Sequence, residues 1–270
     1  MNLHKQGLLA GALLVALAVL LLAGGCGKKE MTPPPQYPGW EKYSFKHFVF
    51  NYVPGSYWGR NIDRFSDAYE RYLSEMCEFL AIEIPSDTIY FYIYENSAEA
   101  MELTGRDIPF IQDNQLHWKR DPRFGKILAE YLIPKMGIRM TDYRVLHDGV
   151  TTLLDYSNND YHHLFCSLYD INRYIPLDSL FDNEAYNRMD KKYREWEAAS
   201  LVAYIAYEFG INRFKMLWQT TASFDRSVLE LFDMDLATFE EKWHEFALQF
   251  YKGINIREDR VPEATTNTTE

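Results

Sequence analysis

A chain of 270 residues with 47% hydrophobic and 16% aromatic side chains has the material for one large domain or two small ones. A formal charge of −11 without any basic cluster argues against nucleic acid as a partner, because phosphate backbones are held by clustered Lys and Arg. It argues equally against a polybasic attachment to a membrane surface. Three cysteines, Cys26, Cys77 and Cys166, are too few for a disulfide framework; the last two are expected as separately buried thiols rather than a bridge.

In chain order, the first element is a leader. Lys5 and His4 make a short, weakly basic start, residues 8–23 are uninterruptedly apolar, and Ala23-Gly24-Gly25 sets small residues before Cys26. Small side chains suit the tight site of a signal peptidase, and the apolar run is short for a span of about 20 residues. Residues 1–25 thus resemble a bacterial lipoprotein signal peptide more than an ordinary signal peptide or an N-terminal membrane helix. Cys26 is the expected lipidated residue, so the expected location is the bacterial cell envelope, lipid-anchored. Gly27 after the cysteine, rather than Asp, points to the outer membrane. Removal of Lys5 leaves 27 basic and 39 acidic residues, 27 − 39 = −12.

Residues 26–41, with Pro33-Pro34-Pro35, Pro38 and Gly39, read as an extended tether. Residues 43–52 read as a strand, 61–80 as a helix with apolar residues at helical spacing, and 89–94 as a buried strand. Ser97 is expected to cap a short helix that stops at Gly105. A third strand is expected around 110–118. Further on, the pattern predicts helices over 122–136, 143–156, 160–172, 194–209, 211–221, 224–232 and 235–251, with Gly210 as a stop and Asp235 as a start. Residues 253–270 are polar and read as a tail. The expected fold class is α+β, a small β-rich N-terminal part followed by a mainly helical one, within a single domain over 42–252.

This order of elements resembles the gluzincin metallopeptidases, the thermolysin-like group of peptidase-MA type, over roughly residues 43–250. Gln115-Leu116-His117-Trp118 matches the edge strand that aligns a peptide substrate, and residues 124–137 match the metal-binding helix. His147-Asp148-Gly149 opens a segment similar to the helix of the third zinc ligand. Residues 197–210 and 239–246, with Trp243, resemble the later scaffold helices. The chemistry of that group needs His-Glu-x-x-His, two imidazoles one turn apart beside a water-activating Glu. Here the stretch is Ala129-Glu130-Tyr131-Leu132-Ile133, so both imidazoles are missing, and Asp148 stands for the third ligand. One carboxylate without imidazole holds zinc poorly. Glu130 has a plainer reading as a solvated ion pair with Lys126, and Pro134 is expected to end the helix early.

The resemblance therefore implies a non-catalytic, peptidase-like lipoprotein that binds or assembles with an envelope protein or peptide and needs no cofactor. Its cleft would be floored by Ala129 and Ile133 and lined by His117, Trp118 and His147. An active zinc peptidase with an atypical ligand set, His117, His147 and Asp148, is the alternative.

Overall fold

Alternation on one strand organises the whole domain. In Ile89–Tyr94, the side chains of Ile89, Phe91 and Ile93 point into the main core, and those of Tyr92 and Tyr94 into a second, smaller one. Period-2 geometry sends neighbours to opposite faces, and a strand covered on both faces reads as the continuous apolar run seen here. The computed structural model describes residues 35–119 and 123–251. Residues 1–34, including the leader and Cys26, lie outside the described residues, as do residues 120–122 and the 253–270 tail.

The fold is α+β. Five strands, β1 (Glu41–Phe45), β2 (Phe48–Tyr52), β3 (Ile89–Tyr94), β4 (Phe110–Gln112) and β5 (Gln115–Lys119), form one sheet in the order β1-β2-β3-β5-β4. The outer pairs β1–β2 and β4–β5 are antiparallel; β2–β3 and β3–β5 are parallel. Helix α1 (Ile62–Phe79) is the crossover from β2 to β3, and α2 (Ser97–Thr104) follows β3. Phe65, Tyr69, Leu73 and Met76 of α1 cover the main face of the sheet. There Tyr69 meets Phe48, Phe50 and Phe91 edge to face, an arrangement worth about 0.5–1.5 kcal/mol per pair beyond the area buried.

The helical part comprises α3 (Lys126–Leu132), α4 (Arg144–Leu153), α5 (Tyr161–Asp170), α6 (Leu177–Phe181), α7 (Asn183–Arg188), α8 (Lys191–Gln219), α9 (Phe224–Phe232) and α10 (Leu236–Tyr251). Pro134 does end α3 early, and a 3-10 turn, Ile133–Met136, completes the segment. Gly210, at φ 81° and ψ 157°, breaks α8 where a stop was expected. The short helices α6 and α7 fall outside every expected span, although Asp182 caps α7 by accepting from the amides of Glu184 and Ala185. Among the described residues no helix is long and apolar enough to cross a membrane.

Three expectations need correction. Residues 43–52 are not one strand: Lys46, at φ 44°, turns the chain, and the His47 amide donates to Glu70 at 2.7 Å. Residues 110–118 likewise fold back at Asp113-Asn114, with Asp113 at φ 54°. The tether ends before residue 41, because Tyr37 and Trp40 pack on Tyr92 and Tyr94 and close the second core. A smaller shift concerns α2, whose cap is Asn96 rather than Ser97; its carboxamide accepts from the Glu99 amide at 2.9 Å. Cys77 and Cys166 are free and buried, and burial raises both thiols to about 11.

Candidate functional site

Helix α3 presents two faces. Leu128, Ala129, Leu132 and Ile133 point into the core, with Ala129 and Ile133 at 0% and 1% exposure, so neither floors a cleft. The opposite face borders a groove of about 340 Å³ between α3 and β4. Its apolar side is made by Phe110 and Ile111 of β4, Trp118 of β5 and Ile127 of α3; its rim carries Lys119, Arg123, Lys126, Lys191 and Glu130. The outermost strand here is β4, because β5 is flanked by β3 and β4. Gln115–Trp118, expected at the edge, is therefore interior, and the edge beside the groove is Phe110–Gln112.

The expected ion pair within α3 does not form. Lys126 Nζ reaches across to Glu195 of α8 at 3.0 Å, joined there by Arg123 at 3.2 Å and Lys191 at 3.9 Å. Three cationic heads share one carboxylate that is almost fully buried. Glu130 instead meets His147 Nε2 at 3.1 Å, and the other ring nitrogen of His147 lies 3.8 Å from Asp148. Asp148 also accepts from Arg144 Nε at 3.4 Å and from the Tyr186 hydroxyl at 3.2 Å. Burial alone would lower the His147 pKa, but hydrogen bonds to Asp148 and Glu130 and their charges outweigh it and raise it to about 9. Burial likewise opposes ionisation of Asp148, yet His147, Arg144 and Lys126 hold its pKa below the usual range. At neutral pH an imidazolium thus stands between two carboxylates.

His117 is elsewhere. It belongs to the face of β5 opposite Trp118, stacked between Tyr92 at 4.7 Å and Phe110 at 4.2 Å, with Nδ1 2.8 Å from the Tyr94 hydroxyl. Burial, helped by the charge of Arg106, lowers its pKa to about 4, so the ring is neutral. His117, His147 and Asp148 are not brought together, and among the described residues no cluster of three or more His, Cys, Asp or Glu side chains is arranged to hold a metal. His162 stacks on Phe250, with Nδ1 2.9 Å from the Ser200 hydroxyl. The bonds from Arg123 and Lys126 to Glu195 escaped sequence reading, since partners some 70 positions apart leave no local signal.

Gly149, next to Asp148, has a structural reason. A Cβ there would lie 2.5 Å from the Ala198 carbonyl oxygen and 2.6 Å from Val202, where α4 crosses α8. A scan against protein-family models and searches of curated proteins and solved structures return no match to this chain.

Proposed function

We propose that this chain is a lipid-anchored, non-catalytic relative of the gluzincin peptidases that binds an envelope protein or peptide in the groove between α3 and β4. The observation that carries the reading is the trio Glu130, His147 and Asp148. The two acids correspond to positions that would act at a zinc ion, and here they face each other across a protonated imidazole. Beside them, the two positions that would carry zinc-binding histidines are Ala129 and Ile133, both in the core. A charge supplied by the protein takes the place of a metal charge, and the chemistry of water activation is lost. The groove keeps what binding needs: an apolar side, a charged rim and a strand with one edge open among the described residues.

The test supplies the chain from Gly27 on with zinc and a mixed peptide pool. The expected result is far less than one zinc per chain, peptides recovered intact, and cross-links from bound peptide to Lys126 or Lys191. Cleavage with stoichiometric zinc that vanishes in His147→Ala would favour the alternative, an active peptidase with atypical ligands. Peptide cross-linked only outside the groove, or none at all, would remove the groove from the account. Anchoring is tested separately: radiolabelled palmitate should enter the wild type and not Cys26→Ser, and equal labelling of both would contradict the lipoprotein assignment.

A further inference from the structure

We propose that the groove between α3 and β4 selects extended peptide segments rich in Asp or Glu. This rests on the reading of the groove as a peptide site and adds the sign of the charge it takes. Position decides that sign. The Glu195 side chain is 7% exposed, whereas those of Arg123, Lys126 and Lys191 around it are 37%, 24% and 68% exposed. The carboxylate therefore lies on the protein side, and the cations stand between it and solvent. Three positive heads against one carboxylate leave a surplus, 3 − 1 = +2. An ammonium carries three donors, so Lys126, which gives Glu195 one hydrogen bond, keeps donors for a ligand. Lys119 on the same rim adds a further positive charge, its Nζ bonded to the neutral Ser97 hydroxyl.

The acids nearby do not cancel this surplus. Glu130, in the groove's lining, is paired with the His147 imidazolium, and the charges of Glu130, His147, Asp148 and Arg144 sum to zero. In the neighbouring hollow Asp155 is 1% exposed and is held by Ser157 and Tyr161. Asp190 and Lys192 there offset each other. The groove thus stays positive in a chain whose formal charge is −11. A concave site lined by one sign of charge focuses its field and raises the local concentration of the opposite sign.

The same net charge selects the kind of anion. A nucleic acid or an anionic membrane would meet the acidic remainder of the surface, whereas a short acidic segment meets the groove alone. The rest of the lining suits a peptide better than a free small anion. Phe110, Ile111, Trp118 and Ile127 offer apolar contact, and β4, last in the sheet order, offers backbone hydrogen bonds along its edge. Carboxylates on the bound segment would then form charge-assisted hydrogen bonds with the rim.

The experiment is calorimetric titration of the chain with capped pentapeptides in which leucine alternates with glutamate, glutamine or lysine. The glutamate peptide should bind about tenfold more tightly than the glutamine peptide, and the lysine peptide more weakly than either. Raising sodium chloride from about 50 to about 300 mM should weaken the glutamate peptide severalfold and leave the glutamine peptide nearly unchanged. Lys119→Gln combined with Lys191→Gln should remove most of the preference and leave the apolar wall intact. Lys191→Gln alone, at an exposed position, should remove part of it with the melting temperature unchanged. Equal affinity for the three peptides, or a preference for lysine, would overturn the acidic selection and leave the groove standing as a peptide site. A glutamate preference that survives both substitutions would place the acids elsewhere and overturn it as well. Inorganic phosphate that displaces the glutamate peptide at equal concentration would overturn it in favour of a small-anion site. Binding of none of the peptides would overturn it together with the peptide reading.

Discussion

Replacing Gly149 with Ala is expected to destabilise the domain by about 2–3 kcal/mol, although a helix interior ordinarily gains about 1 kcal/mol from that change. The two effects have opposite signs, and the clash wins. The added carbon would stand 2.5 Å from the backbone oxygen of Ala198, which no rotamer change can move, and 2.6 Å from Val202. Helices α4 and α8 must then separate, in the most extensive helix–helix contact of the domain. For a domain of this size the melting temperature should fall by roughly 5–10 °C. Adding Val202→Ala removes one obstruction and should restore only part of the loss. Urea titration of both variants checks this; a Gly149→Ala protein as stable as wild type would mean that α4 and α8 do not approach so closely.

Glu197→Gln is expected to act the other way and stabilise the protein. Burial raises the Glu197 carboxyl to about 9; the Ile175 amide, donating to both of its oxygens at 3.0 Å, works against this, and the charge of Glu240 adds to it. The unfolded chain releases that proton near an ordinary Glu value of about 4.3. Between these two values the native state binds the proton and the unfolded state does not, so wild-type stability falls as pH rises. Gln keeps an acceptor for Ile175 and has no proton to lose. The variant should match wild type near pH 4 and exceed it by as much as about 3 kcal/mol at pH 7. Denaturant midpoints across that window decide the point. A difference that does not grow with pH would show that Glu197 is ionised in the fold.

Much of this architecture is written locally. The run Ile89–Tyr94 betrays a strand buried on both faces, Gly210 marks the break in α8, and Asp235 caps α10 by accepting from the Thr238 amide. Each depends on residues within one or two turns of chain. The two hairpins were missed because their turns, Lys46-His47 and Asp113-Asn114, carry no glycine and interrupt otherwise strand-like stretches. Asp-Asn does tolerate a left-handed backbone, and that was the available signal. Tyr37 and Trp40 were hidden by their proline-rich setting, which suggests a spacer although both rings pack. The site was legible as positions but not as partners. Glu130 and Asp148 were singled out, whereas the His147 link between them, and the bond from Lys126 to Glu195, depend on how α3, α4 and α8 meet. Periodicity places a residue on a face; it does not say which helix that face will meet.

The account turns on whether residues 129–133 and 148 stand where a peptidase would hold zinc. The backbone keeps the needed turn, since the Ile133 amide donates to the Ala129 carbonyl and residue 133 is still helical at φ −51° and ψ −48°. Side chains at positions 129 and 133 therefore point the same way, one turn apart. Two histidines there will cost stability, because both positions lie in the core. The measurement is calorimetric zinc titration of Ala129→His, Ile133→His and the double variant, each first shown to unfold cooperatively. The predicted result is zinc affinity in the double variant that wild type and both single variants lack. A folded double variant that binds zinc no better than wild type would contradict the peptidase alignment at its centre.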